Sequence, residues 1–244
     1  MTRIIAGRRP VLEALRAETK LRRIYVDPQR VSPDVQQAAE ARSVSVAHRD
    51  RAELDRLTEG VRHQGVVALA EDFELCDLDE MLDRTHGAPL LVALDQVTDP
   101  QNLGAIVRSA VTLGLDGIIV PKHRAAGITA AVVRASAGAT EHASIAQVTN
   151  LQRTLLKLSE AGIEVIGLDA HADADLRDLE PSSQGRVLVV GSEGKGLRRM
   201  VRQRCDIVVQ IHQKGPMDSL NASVAAAIAM YELSTKRRGA QHDE

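Results

Sequence analysis

Leu90-Leu-Val-Ala-Leu-Asp-Gln-Val-Thr-Asp-Pro-Gln-Asn-Leu-Gly-Ala-Ile-Val-Arg-Ser-Ala110 changes its hydrophobic period part-way along. Its first five residues form a continuous apolar run bounded by polar residues, the pattern of a buried strand. Beyond the Asp-Pro pair, Leu103, Ile106, Val107, Ala110 and Val111 follow the i, i+3, i+4, i+7, i+8 spacing of a helix with one core face. Asn102, Ala105 and Arg108 occupy a neighbouring flank, close to the carboxyl end of the strand, where open α/β sheets place their ligands. Asp99 or Asn102 could also simply cap this helix, with Arg108 a solvated surface charge.

The strand-then-helix alternation repeats outward from this stretch. Strands are predicted at Gly117–Val120, Ser144–Val148, Glu164–Leu168, Val187–Val190 and Ile207–Ile211. Helices are predicted near 102–114, 128–138, 150–161, 197–203 and 220–236. Six strands with intervening helices imply an α/β domain with a mostly parallel sheet covered on both faces. Upstream, a helix opened by Pro10, a strand at Ile24–Val26, a helix over 34–42, a strand at Val44–Val46, a helix over 50–58 and a strand at Gly65–Ala70 make a smaller α/β unit. Residues 71–88 turn acidic and lose strand character, with room for one helical turn. The expected organisation is a small domain over 1–72, a linker over 73–88 and a larger domain over 89–244.

Composition narrows the function classes. Tyr25, Phe73 and Tyr231 are the only aromatics, so base stacking on aromatic platforms is a poor candidate for nucleic-acid binding. The net charge of −2 by itself suggests no polyanionic partner, but its distribution does. Residues 1–30 carry eight basic and three acidic side chains, +5, which leaves −7 for the remainder. Further basic clusters are Lys195, Arg198, Arg199, Arg202 and Arg204, and Lys236, Arg237 and Arg238. Local basic patches on a near-neutral chain suit a specific phosphate-contacting surface, although each cluster alone could be a solvated helix face. Cys76 and Cys205 lack CxxC spacing and the eight His residues lack paired ligand spacing, so no metal site is expected. No apolar run reaches the roughly 18 residues needed to span a membrane, and a cytoplasmic protein is expected.

Two further segments carry chemistry. In Val187-Leu-Val-Val-Gly-Ser-Glu-Gly-Lys-Gly-Leu197, Gly191, Gly194 and Gly196 follow a buried strand and let backbone approach a ligand closely. The spacing is not that of a phosphate-binding Walker loop, and the position late in the domain is wrong for a dinucleotide fingerprint, which disfavours a nucleotide-dependent oxidoreductase. A tight connection with no ligand is the other reading. In Ile211-His-Gln-Lys-Gly-Pro-Met-Asp-Ser-Leu-Asn-Ala-Ser-Val-Ala225, a polar loop feeds an apolar helix of small residues. Ser219 and Asn221 could be N-caps, and the helix is a candidate subunit interface.

Together the three segments resemble the motifs of the SpoU (TrmH-like) branch of the SPOUT RNA methyltransferases: D-P-x-N-x-G-A-I-x-R-S-A, G-S-E-G-x-G and S-L-N-A-S-V-A. Ala135-Ser-Ala-Gly-Ala-Thr-Glu-His142 is similar to a further family stretch. Ile5-Ala-Gly-Arg-Arg-Pro-Val-Leu-Glu-Ala-Leu15 and His63-Gln-Gly-Val-Val-Ala68 resemble the start and end of the family's small RNA-binding domain, related to the L30e and L7Ae ribosomal proteins. The resemblance covers nearly the whole chain. It implies a trefoil-knotted methyltransferase domain, S-adenosylmethionine as cofactor without a metal, and a homodimer. The implied activity is methylation of a ribose 2′-hydroxyl in rRNA, with a guanosine of 23S rRNA, free or in a pre-ribosomal particle, as the expected target. A tRNA ribose methyltransferase is the nearest alternative, and a non-catalytic RNA-binding assembly factor the alternative of another class.

The resemblance assigns activation of the hydroxyl to Arg108, with Asn102, Glu193, Ser219 and Asn221 around it. Cofactor contacts carry over to Gly191, Ile211 and Leu220, with Leu168 as a fourth. RNA contacts are expected from Arg8, Arg9, Arg22 and Arg23. The family usually has Ile-Pro where this chain has Ile211-His212, which bears on local loop geometry.

Overall fold

The computed structural model describes residues 2–30, 32–123, 125–216 and 219–237. Arg238 of the C-terminal basic cluster, and Met217 and Asp218 of the third segment, lie outside them. The chain folds into two compact units.

The first unit comprises residues 1–74 together with 103–108 and 126–143. Its sheet has the order β1-β4-β2-β3, from β1 (Thr2–Ala6), β2 (Leu21–Val26), β3 (Val46–His48) and β4 (Val66–Glu71). β4 runs antiparallel to both β1 and β2, while β3 runs parallel to β2. Helices α1 (Arg8–Arg16), α2 (Pro33–Ala41) and α3 (Arg51–Leu57) complete the N-terminal part. α3 starts with a reciprocal capping box between Asp50 and Glu53. Ile5, Val11, Ala14, Ile24, Val26, Val35, Val66 and Ala68 form the core, joined by Val133 from helix α6 (Ala130–Ala135). The Ser-Ala-Gly-Ala-Thr-Glu stretch after α6 is fastened to the same unit. Arg3 donates two hydrogen bonds to the buried Glu141 carboxylate, at 2.7 and 2.6 Å, and a side chain at Gly138 would collide with Pro10 and Glu13. β1 is a difference from the sequence expectation: Arg3 interrupts its apolar pattern because that side chain is turned to Glu141.

The second unit comprises 75–102, 109–125 and 144–244. Its seven strands run β7-β6-β5-β10-β8-β11-β9, and every neighbouring pair is parallel. They are β5 (Leu90–Leu94), β6 (Gly117–Pro121), β7 (Ile145–Val148), β8 (Glu164–Leu168), β9 (Ala174–Asp175), β10 (Arg186–Val190) and β11 (Ile207–Gln210). β5, β6 and β10 are buried at every residue, as expected of parallel strands covered on both faces. The two-residue β9 is too short to carry a periodic signal and is absent from the sequence expectation. The core gathers Leu91, Ala93, Ile119, Leu155, Val165, Val187, Val189 and Val201, each worth about 1.5–3 kcal/mol or less when fully buried, by side-chain size.

Within 73–88, the stretch expected as a linker, the structure places helix α4 (Leu78–Asp83), capped by Asp77. Met81 is buried, and a side chain at Gly117 would run into its sulfur. Acidic residues on the outer face of α4 hide the Leu78, Met81, Leu82 triplet that packs inward.

Candidate active site

Helix α5 (Pro100–Thr112) follows β5, and its N-terminus is capped by Asp99, whose carboxylate accepts from the backbone N–H groups of Gln101 and Asn102. Asn102 is thereby released from capping, and its side chain is buried in a polar chain. Its Nδ2 donates to Glu193 Oε2 at 3.2 Å, and its Oδ1 accepts from Asn221 Nδ2 at 3.0 Å. Asn221 is itself the N-cap of α9 (Ala222–Thr235), with its Oδ1 accepting from the backbone of Ser223 and Val224. Three residues spread over 119 positions of sequence are thus joined by their amide and carboxylate groups.

The strand order explains the meeting. From β5 the chain proceeds outward through β6 and β7, then returns to β8 and β10 on the other side of β5. The strands all run one way, but the order in which the chain adds them reverses between β5 and β10, so the connections leaving these two strands proceed to opposite sides. The β10 loop folds on itself there: Ser192 and Gly196 exchange backbone hydrogen bonds at 3.2 and 3.0 Å, and Gly194 and Gly196 adopt positive φ of 75° and 61°. A Cβ at Gly191 would strike the backbone of Gly196 and Leu197, so the close fold of this loop requires glycine at that position.

Beyond the carboxyl ends of β8, β10 and β11 lies a cavity of about 500 Å³, within the range of small-molecule sites. Leu168, Gly191, Ile211 and Leu220, the four expected cofactor-binding residues, all line it, as do Glu193, Ser219 and Asn221. Val190 and Ala225 add apolar wall, and Asp169, His171 and Gln213 add polar groups that the sequence reading does not name. Asp169 sits immediately after β8 and is bound by Arg202. The sequence reading also passes over Asp95, a fully buried carboxylate at the end of β5. The signal for it is a charged residue closing an unbroken apolar run.

Arg108 lies on the second half of α5, exposed, and among the described residues its side chain makes no hydrogen bond or ion pair. It is not among the cavity-lining residues. The four arginines of the N-terminal region are exposed as well. Arg8 pairs with Asp34 at 2.7 Å, Arg22 donates to Thr2 and Arg23 to Ser45. A register shift between Leu21 and Arg23 in the β2–β4 pairing accompanies the exposure of both Arg22 and Arg23. Among the described residues, no group of three or more His, Cys, Asp or Glu is placed to hold a metal ion, and no helix is long and apolar enough to cross a membrane.

The family model described as SpoU rRNA Methylase family matches residues 89–231, and that of RNA 2′-O ribose methyltransferase substrate binding matches residues 4–76. The chain belongs to the SpoU rRNA methylase family. The resemblance read from the three motif segments is borne out. An uncharacterized tRNA/rRNA methyltransferase of Mycobacterium avium is 45% identical over 245 residues, covering 98% of this chain and 79% of its own. A putative TrmH family tRNA/rRNA methyltransferase of Bacillus subtilis is 39% identical, covering 96% of this chain and 95% of its own. Among solved structures, the SpoU methyltransferase AviRb from Streptomyces viridochromogenes, in complex with AdoMet, superposes with a TM-score of 0.79 at 29% identity, covering 98% of this chain and 91% of that one. The α/β architecture with a parallel sheet and a small N-terminal domain is that of SpoU methyltransferases.

Proposed function

We propose that the chain methylates a ribose 2′-hydroxyl in rRNA, a guanosine of 23S rRNA, using S-adenosylmethionine held in the cavity beyond β8, β10 and β11. The observation that carries this reading is the convergence of Leu168, Gly191, Ile211, Leu220, Glu193, Ser219 and Asn221 on that one cavity. The lining fits the cofactor: apolar walls suit an adenine, exposed loop backbone at Gly191–Gly196 offers close polar contacts, and the Asp169 and Glu193 carboxylates suit a cationic ligand. AviRb, a family relative, binds AdoMet, which supports the same choice here. Bound there, S-adenosylmethionine supplies an electrophilic methyl group on a sulfonium.

The chain's own residues must then bring a 2′-hydroxyl into line and help withdraw its proton. Arg108 is unsuited to be the base, because a guanidinium stays protonated in proteins. Its exposed fork is suited to grip the target phosphate in a bidentate fashion and polarise the adjacent hydroxyl, whose proton passes to that phosphate or to water. Asn102 fixes the Glu193 carboxylate, while Ser219 and Asn221 offer hydrogen bonds to ribose or cofactor. Arg8, Arg9, Arg22 and Arg23 contact RNA phosphates, in keeping with recognition of structured RNA through backbone and 2′-hydroxyls. The domain assignment follows the same reading: RNA binding by the N-terminal 72 residues, and catalysis by a knotted domain from residue 89 onward.

The reading includes a homodimer, acting in the cytoplasm. Leu220, Val224, Ile228 and Tyr231 are exposed and fall on one side of the segment leading into and along α9, a stripe that a second copy would cover. The test is transfer of labelled methyl from S-adenosylmethionine to unmodified 23S rRNA, 16S rRNA and bulk tRNA, side by side. Label in 23S rRNA is expected. Label in tRNA alone would replace the substrate and keep the chemistry. No label in any RNA would overturn the enzymatic reading and favour the RNA-binding assembly factor.

A further inference from the structure

Asp95 closes β5 and faces the loop that follows β10. Its backbone N–H donates to Val190 O at 2.8 Å, extending the β5–β10 pairing by one bond. Its carboxylate is completely buried. One oxygen accepts from the backbone N–H of Arg198 at 2.9 Å and the other from Arg198 Nε at 2.7 Å. A buried carboxylate needs such a set of donors to remain charged, and here both come from one residue at the far end of the glycine loop.

Seven residues further along, Asn102 grasps the middle of that loop through Glu193. The connection leaving β5 therefore holds the 191–198 loop at two places, Glu193 and Arg198. Between them lie Gly194 and Gly196, both at positive φ, and Lys195, whose side chain is exposed. Leu197 and Val201 bury into the core beneath. Three glycines in six residues give this loop many alternative conformations when unrestrained. The Asp95–Arg198 clasp removes them at the end that the Asn102–Glu193 bond does not reach.

We propose that Asp95 is a positioning residue for the cofactor. It acts through Arg198 to keep the glycine loop in the conformation that receives the ligand, and it touches neither ligand nor RNA. This rests on the reading of the cavity as the S-adenosylmethionine site. A loop that is competent only part of the time binds with an affinity reduced by that fraction. Loss of the clasp therefore weakens cofactor binding, while turnover at saturating cofactor falls by less than affinity does.

The variants are Asp95→Asn, which removes the charge, and Arg198→Gln. Arg198→Gln keeps the backbone donor and alters a side chain that is 38% exposed, so it is the safer one for folding. Calorimetric titration with S-adenosylmethionine is expected to show about tenfold weaker binding for Arg198→Gln, corresponding to a competent fraction near one tenth. RNA affinity should stay unchanged in the same protein. Hydrogen exchange of the 191–197 amides in the ligand-free variant is expected to accelerate relative to the rest of the sheet. A folded Arg198→Gln protein with unaltered cofactor affinity and unaltered exchange would overturn the proposal. If the unsubstituted protein itself fails to bind S-adenosylmethionine, the reading of the cavity falls, and with it the ligand; accelerated exchange in the variant would still establish the clasp.

Discussion

Two sets of arginines, one in each unit, are used in opposite ways. In the four-stranded sheet and its helices, Arg8, Arg9, Arg22 and Arg23 stand in solvent, and the Arg8–Asp34 pair is itself exposed. Such pairs contribute little to stability, about 0–1 kcal/mol, and their cations are readily lent to another anion. In the seven-stranded sheet, Arg198 and Arg186 are directed inward onto Asp95 and Glu164, and Arg186 is 7% exposed. These guanidinium groups are committed to the fold. Within these two sets, the charge open to a ligand lies in the first unit and the charge spent on architecture in the second, while Arg3, bound to the buried Glu141, and the exposed Arg199 and Arg204 run the other way.

That contrast can be broken at four points. Arg108→Ala should show the largest effect, a loss of turnover of about 10²–10³-fold, as for removal of a charge-stabilising donor, with cofactor affinity retained. Single-turnover methyl transfer beside calorimetry measures both, and unchanged turnover would remove Arg108 from the site. Arg186→Met should strike the fold and leave RNA binding alone. It strands Glu164 and frees the Glu180 carbonyl, at a cost of about 3 kcal/mol. For a chain of this length that lowers Tm by about 6–12 °C, read by thermal unfolding.

Converting Arg8 and Arg9 together to Ala should do the reverse. RNA affinity drops and the dependence of log affinity on log salt flattens by about 0.7–0.9 for each phosphate no longer neutralised, at unchanged Tm. A fall in Tm with no change in salt slope would make those arginines structural. The smallest effect concerns the thiols. Burial, with Asp206 nearby, pushes the Cys205 thiol up to about 12, and burial also raises that of Cys76. Both should therefore react slowly with a thiol reagent at pH 8 in the folded protein and rapidly after denaturation. Rapid labelling of the native chain would contradict the packing of Cys205 against Val201 and Gly167.

The legible part of the fold was the part built from long buried runs. β5 and β8 match the sequence reading residue for residue: β5 is a continuous apolar run stopped by Asp95, and β8 sets Val165, Ile166 and Leu168 between Glu164 and Asp169. The less legible part is local and polar. β1 is broken in pattern by Arg3, β9 is two residues long, and the acidic face of α4 leaves it visible only as a helical turn within a linker. The convergence of Leu168, Gly191, Ile211 and Leu220 is legible only through motif resemblance, since apolar and glycine residues lining a cavity carry no side-chain signature of a ligand. Asp95 stands out locally only as a charged residue closing an unbroken apolar run; its burial depends on a partner 103 residues away.

Whether the methyl group lands on a ribose oxygen is decided by alkaline hydrolysis of the labelled RNA. Alkali cleaves RNA through attack by the neighbouring 2′-hydroxyl, so a methylated 2′-oxygen leaves its phosphodiester intact. Label is expected in alkali-stable dinucleotides from 23S rRNA. Label released as a mononucleotide methylated on its base would contradict it.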